Sequence, residues 1–167
     1  MNLNKVFDRT FLLSYVFLLV RLFIGVLFII AGLAKLDQPA FFAHSIEQFD
    51  IVSRPVLIVM TYTLPWLELI CGVLLILGLF LRASAMLIGL MLLTFIIALL
   101  SAMARGIAGE CGCLGFFGSG RIGWPLTLQD TALLITCAVI YIFGDRHKLI
   151  SIDSLIAAIK GKIQSHR

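Results

Sequence analysis

Two cysteines one residue apart give the clearest chemical signal in the sequence. Cys111 and Cys113 flank a glycine within the stretch Glu110–Gly115. A disulfide needs Cα atoms about 4.4–6.8 Å apart, which residues two apart reach in a turn but not in a fully extended strand. The resulting ring would be small and strained, and strained, exposed disulfides tend to be oxidising and labile. The pair is therefore typical of a redox-active dithiol.

Two other interpretations of this pair stay open. The bridge could simply hold the loop in shape, or the two thiolates could bind a soft metal ion. A closed zinc site needs four ligands, and the one histidine expected on the same side, His44, lies in another loop. We therefore expect no metal. Nearby cations at Lys35, Arg105 and Arg121 would favour the thiolate form, whereas Glu110 would oppose it.

The other two cysteines, Cys71 and Cys137, lie inside strongly apolar stretches. A buried free cysteine usually behaves as a small hydrophobic side chain. If the two thiols met inside the protein, they could instead relay electrons between its two ends.

The elements that position these residues follow from the composition. Of 167 residues, 61% are hydrophobic and 13% charged, against about 45–50% and 25% in soluble domains. The mean hydropathy is +1.10. A chain of this size cannot hide so much apolar surface in one core, so lipid must cover it. We expect membrane lipid and a protein as partners, and no nucleic acid.

Four stretches are long and apolar enough to cross a bilayer. The first exceeds the length of a signal-peptide core. We therefore predict an all-α fold, a bundle of four transmembrane helices. Two short amphipathic segments, Pro39–Phe49 and the tail from residue 148, could lie at the interface or pack on the bundle. The predicted spans are residues 11–34, 56–81, 83–104 and 125–144, within a transmembrane domain of residues 1–147 followed by a basic tail of residues 148–167.

The basic residues predict the orientation. Eight of them lie at the two termini and the second turn, and four lie in the other two loops. The positive-inside rule then places both termini in the cytoplasm. In a bacterium this is the inner membrane, with the loop from Arg105 to Trp124 and its two cysteines facing the periplasm.

Two charges lie deep within the predicted spans, and a third, Asp130, lies near the start of the last span. Arg21 and Glu68 are at comparable depth when counted from the cytoplasmic ends at 1.5 Å per residue. Charges inside membranes usually face the bundle interior and have a partner, so we predict a structural ion pair between them. The alternative is a quinone or proton site built on that pair. Pro65 would kink the second span and could open a pocket with Trp66.

Two groups of stretches carry a family resemblance. The first group comprises Arg21–Gly25, Ala31–Pro39, Leu64–Gly72 and Leu77–Arg82, and it resembles the first two helices of the DoxX-like membrane proteins. The second group comprises Arg105–Gly106, Cys111–Gly115, Ile122–Trp124 and Asp130, and it is similar to the MauE branch of methylamine-utilisation proteins. The resemblance covers about residues 21–144. It implies a four-helix bundle that supports disulfide formation or redox maturation of periplasmic proteins, with a thioredoxin-like partner. DoxX proteins are also linked to quinone-coupled oxidation of sulfur compounds.

The sequence hypothesis is thus a membrane thiol–disulfide oxidoreductase, or a subunit of one. Its catalytic residues would be Cys111 and Cys113, with electrons passing to a membrane quinone. The rival is a non-enzymatic scaffold or maturation factor with a structural disulfide, and a further rival is a soft-metal carrier. The expected quinone contacts are cationic or aromatic: Arg105, Lys35, Trp66 and Trp124.

Overall fold

The computed structural model describes the backbone of residues 3–107 and 122–144, and side chains from Ser14 onward. In these ranges the chain forms five α-helices and no strand. The all-α prediction is therefore confirmed. The helices are α1 Leu3–Asp37, α2 Pro39–Gln48, α3 Arg54–Leu77, α4 Leu81–Ala104 and α5 Trp124–Phe143.

Four of these helices are long and apolar enough to span a membrane, namely α1, α3, α4 and α5. Many of their large apolar side chains face outward, where only lipid can cover them. Leu19 and Val59, for example, are each 62% exposed. The chain is a multi-pass membrane protein.

Prolines and one glycine define several helix ends. Pro39, Pro55 and Pro125 stand in the first turn of α2, α3 and α5, where a missing N–H costs nothing. At the end of α3, Gly78 takes a left-handed conformation with φ of 72°. The amide of Gly78 then donates to the carbonyl of Leu75 and that of Leu79 to Leu74, which is the Schellman arrangement. Helix α3 thus ends four residues before the predicted boundary at residue 81.

Small residues let α1 and α3 approach closely. A Cβ added at Gly72 would lie 2.8 Å from the Gly25 carbonyl oxygen, and one at Gly32 would lie 2.9 Å from the Pro65 carbonyl oxygen. Small residues at helix contacts are how membrane helices gain packing energy without a hydrophobic driving force. These contacts fix the register: α1 and α3 run antiparallel, with Gly25 beside Gly72.

Helices α1 and α3 form one packed pair and α4 and α5 another, and α3 also contacts α4. A central apolar cluster joins them, and includes Ile24, Leu75 and Ile88. A second cluster, around Phe49, Leu99 and Leu126, lies at the end of the bundle where α1 stops and α5 starts. We call this the α2 end.

Helix α2 packs against the bundle. In the predicted segment Pro39–Phe49, the apolar residues Phe42, Ile46 and Phe49 stand at helical spacing. Phe42 and Phe49 are buried, 6% and 5% exposed, and Ile46 is half-buried. Of the two predictions for this segment, the packing helix is the one observed. The predicted tail, residues 148–167, lies outside the described residues.

Candidate functional site

A buried ion pair joins α1 to α3. The Lys35 ammonium lies 2.6 Å from both carboxylate oxygens of Glu68. The two side chains are only 8% and 11% exposed. Lys35 is two residues from the end of α1, but helical side chains lean toward the helix N-terminus. Its ammonium therefore extends back into the bundle instead of out to the surface.

This pair corrects the predicted partner of Glu68. Because Gly25 lies beside Gly72, Arg21 is level with Ile76, and it donates to the Ile76 carbonyl oxygen at 3.3 Å. Eight residues separate Ile76 from Glu68, or about 12 Å along the helix. The predicted Arg21–Glu68 ion pair is wrong. Counting depth from the two cytoplasmic ends fails because those ends are not level. The register places Leu77, the last residue of α3, beside Val20, nine residues inside the predicted start of the first span at residue 11.

A third charged residue, Asp130 of α5, lies near the pair. Asp130 is 6% exposed, and it lines the same cavity as Lys35 and Glu68. Within the described residues, its Oδ2 atom is buried without a hydrogen-bond partner. Three charged side chains from three helices therefore meet in one region of an apolar bundle.

These side chains line a partly open cavity of about 100 Å³. Its polar lining comes from Lys35, Glu68, Asp130 and Gln129. The remaining walls are apolar and come from every helix: Leu27, Phe28, Ala31, Phe42, Leu64, Met91, Leu92, Phe95 and Leu133. A mostly apolar pocket with a few convergent polar groups is the usual form of a small-molecule site.

Helix α2 covers the cavity at its own end of the bundle. The Lys35 ammonium lies 5.4 Å from the centre of the Phe42 ring, within range of a cation–π contact. The other end of α2 is held by Phe49, whose ring meets Phe95 edge to face at 6.3 Å. Arg105 donates to the Phe49 carbonyl oxygen. The helix is therefore fixed at both ends over the charged side chains.

The four predicted quinone contacts do not share this cavity. Of them, only Lys35 lines it. Trp66 and Trp124 are 57% and 66% exposed on the outer surface of the bundle, where tryptophan commonly marks the membrane interface. Arg105 contacts the end of α2. Pro65 does lie inside α3, but Trp66 forms no part of the cavity lining.

The two predicted catalytic cysteines, Cys111 and Cys113, lie outside the described residues, as do Glu110 and Arg121. Cys71 and Cys137 are described, and both are free, buried and part of the central apolar cluster. Among the described residues, no group of three or more histidine, cysteine or carboxylate side chains could hold a metal ion.

Sequence reasoning missed the roles of Lys35 and Asp130. Lys35 was expected at the outer surface because it stands beside the end of the first span. Asp130 was predicted only to be a charge near the start of the last span. The usable signal was the rule that charges within membrane spans have partners. Applied to every charge in or beside the predicted spans, it would have offered Lys35 as a second candidate partner for Glu68, and Asp130 as a second acid for the same cations.

Comparison with known proteins gives one match. The family model of methylamine utilisation protein MauE matches residues 13–144, which contain all of the helices α2 to α5 and the charged cavity. No curated protein and no solved structure matches the chain significantly.

Proposed function

The chain belongs to the MauE family, and on that premise we propose that it is a membrane thiol–disulfide redox protein. Cys111 and Cys113 are the proposed reactive pair. The observation that carries the proposal is their spacing, one residue apart in a glycine-rich connection between two membrane-spanning helices.

The described residues on either side of that connection support this assignment. Ile107 and Ile122, which flank it, both pack against the cluster at the α2 end. Cys111 is four residues from Ile107, and four residues reach about 14 Å at most. We infer that the pair lies on the side of the membrane that holds the α2 end and the opening residues of α5.

The proposed reaction is thiol–disulfide exchange with a protein dithiol. A partner thiolate attacks the Cys111–Cys113 disulfide, a mixed disulfide forms, and the second partner thiol displaces it. The partner gains a disulfide and the chain is left as a dithiol. A membrane quinone then accepts the two electrons and two protons and regenerates the disulfide. The resemblance to DoxX-like proteins supports a quinone as the acceptor.

The proposed location is the bacterial inner membrane, with both termini in the cytoplasm and the α2 end facing the periplasm. The distribution of basic residues supports this orientation, and disulfides persist in the periplasm. The partner would be a thioredoxin-like protein or a substrate of redox maturation. This chain has no second cysteine pair on that side, so either the quinone reacts directly with Cys111–Cys113 or a partner carries the second pair.

Two other functions compete with this one. In the first, the chain is a scaffold and the cysteines form a permanent bridge that shapes the connection. In the second, two thiolates carry a soft metal ion. The spacing favours redox chemistry over both, because a two-residue bridge is labile and two thiolates supply only half of a tetrahedral site.

Trapping of a mixed disulfide tests the proposal. We expect a Cys113→Ser variant in cells to accumulate a covalent complex with a periplasmic protein through Cys111, and the complex to disappear under reduction. A Cys71→Ala/Cys137→Ala variant is the matched control, because both of those thiols are buried among apolar side chains, and it should leave trapping unchanged. Absence of any complex with both single variants, Cys111→Ser and Cys113→Ser, would contradict exchange. Metal retained in a fixed ratio by the purified protein would favour the carrier.

A further inference from the structure

The charges of the side chains around the cavity do not sum to zero when all of them are ionised. Lys35 contributes one positive charge, and Glu68 and Asp130 would contribute two negative charges if both were ionised. Lys35 already binds both oxygens of Glu68. An ionised carboxylate without a cation of its own is costly inside a membrane bundle, and such a group usually acquires a partner or a proton.

The described surroundings of Asp130 offer it no second cation. Lys35 on α1 and Glu68 on α3 are the charged residues that line the cavity with it, and α4 contributes only Met91, Leu92 and Phe95. Helix α2 contributes Phe42. Asp130 is more than nine-tenths buried, and its Oδ2 atom has no hydrogen-bond partner among the described residues.

We propose that Asp130 is an intramembrane proton-binding site, with the Lys35–Glu68 pair as its fixed counter-charge. The carboxyl holds a proton when Lys35 is bound to Glu68, which brings the three groups to zero net charge. On losing that proton, Asp130 becomes a second acceptor for the Lys35 ammonium. The ligand of the cavity is thus a proton, and the proposal does not depend on the cysteine chemistry.

The cavity gives the proton room to exchange. Its volume of about 100 Å³ exceeds the 10–15 Å³ that one water molecule needs, and its polar groups provide the partners that buried water requires. Lys35, which would respond to a charge on Asp130, also lies against the Phe42 ring of α2. Proton binding is therefore positioned to affect the contact that holds α2 over the cavity.

Labelling with dicyclohexylcarbodiimide tests the proposal, because this apolar reagent reacts with protonated carboxyls in membranes. The full-length protein would be reconstituted in lipid vesicles, labelled at a series of pH values and mapped by mass spectrometry. We expect modification of Asp130 in the native protein that declines as the pH rises, and its complete loss in Asp130→Asn. Asp37→Asn is the matched control, since Asp37 is an exposed carboxylate at the same end, and it should retain the label.

A second measurement keeps the proposal testable if the Asp130→Asn variant does not fold. Infrared difference spectra of the native protein should show the carbonyl stretch of a protonated carboxylic acid, sensitive to deuteration, and Asp130→Glu should shift that band. Three results would overturn the proposal: no modification of Asp130 at any pH at which the protein is folded, modification of Glu68 in its place, or labelling that is independent of pH and suppressed by sodium or ammonium ions. None of these results depends on whether Cys111 and Cys113 exchange with a partner.

Discussion

Replacing Lys35 with methionine removes the cation of the buried pair and keeps a side chain of similar length. Glu68 would then be a carboxylate in an apolar interior without its partner. Removing one member of a buried ion pair typically costs about 3–5 kcal/mol. The carboxyl can escape by taking up a proton, and for an ordinary carboxyl at pH 7 that costs about 3.7 kcal/mol. We therefore expect Lys35→Met to lower the free energy of unfolding by about 3–4 kcal/mol.

The reverse change should be milder, because the structure offers Lys35 a second carboxylate. In Glu68→Met the ammonium can turn to Asp130, which lines the same cavity. We expect a loss of about 1–2 kcal/mol, between the net contribution of a neutral hydrogen bond and that of one to a charged group. The double variant should return to within about 1 kcal/mol of the native protein, because a buried pair can often be replaced by apolar side chains without loss. The sum of the single changes would be about 5 kcal/mol, so the expected coupling is about 4–5 kcal/mol.

The native protein, the two single variants and the double variant form a double-mutant cycle. Equilibrium unfolding in mixed micelles, followed by the fluorescence of the two tryptophans, measures the stability of all four proteins. Asp37→Asn, an exposed carboxylate two residues from Lys35, is the control and should change the stability by less than about 0.5 kcal/mol. Single changes that are both near-neutral and simply additive would refute the buried pair. Equal losses for Lys35→Met and Glu68→Met would refute the role given to Asp130 as an alternative partner.

Other variants test the packing around the cavity. Gly72→Ala should cost about 1–3 kcal/mol, because the added methyl would lie 2.8 Å from the Gly25 carbonyl oxygen. Gly89→Ala, whose nearest neighbour is a side-chain atom 3.7 Å away, should be neutral or stabilising by up to about 1 kcal/mol. Equal thermal stability of the two variants would contradict the close α1–α3 contact. Arg105→Met removes the donor to the Phe49 carbonyl oxygen and should cost about 1–3 kcal/mol. Amide hydrogen exchange should rise in α2 and stay unchanged in the central part of α4, and uniform protection would contradict the fixed position of α2.

The sequence was sufficient to predict the four membrane-spanning helices. Length and hydropathy define a membrane span almost completely. A helix needs about 20 apolar residues to cross a bilayer, and every backbone polar group must form its hydrogen bond within the segment. The predicted spans of residues 56–81 and 83–104 overlap α3 and α4 closely. The late boundary at residue 81 arose because Gly78 ends α3 while the apolar run continues. Hydropathy cannot detect a left-handed cap inside an apolar stretch.

The composition of the charged cavity could not be predicted in the same way. The spans are apolar on nearly all sides, so periodicity does not reveal which face of each helix points inward. Lys35 was assigned to the surface because it stands at a helix end, but α2 covers it through Phe42. The partner of Glu68 depends on a register set by contacts between glycines of α1 and α3. That register depends on how the two helices pack, and the sequence of neither segment alone predicts it.

The redox state of Cys111 and Cys113 in native membranes is the most direct test of the proposed function. Thiols would be alkylated in a Cys71→Ala/Cys137→Ala background, in which these two are the only cysteines left, and counted by the mass added to each chain. We expect a mostly oxidised pair in quinone-containing membranes and accumulation of the dithiol when quinone is depleted. A pair that stays fully oxidised whether or not quinone is present would contradict the redox role and establish the bridge as structural.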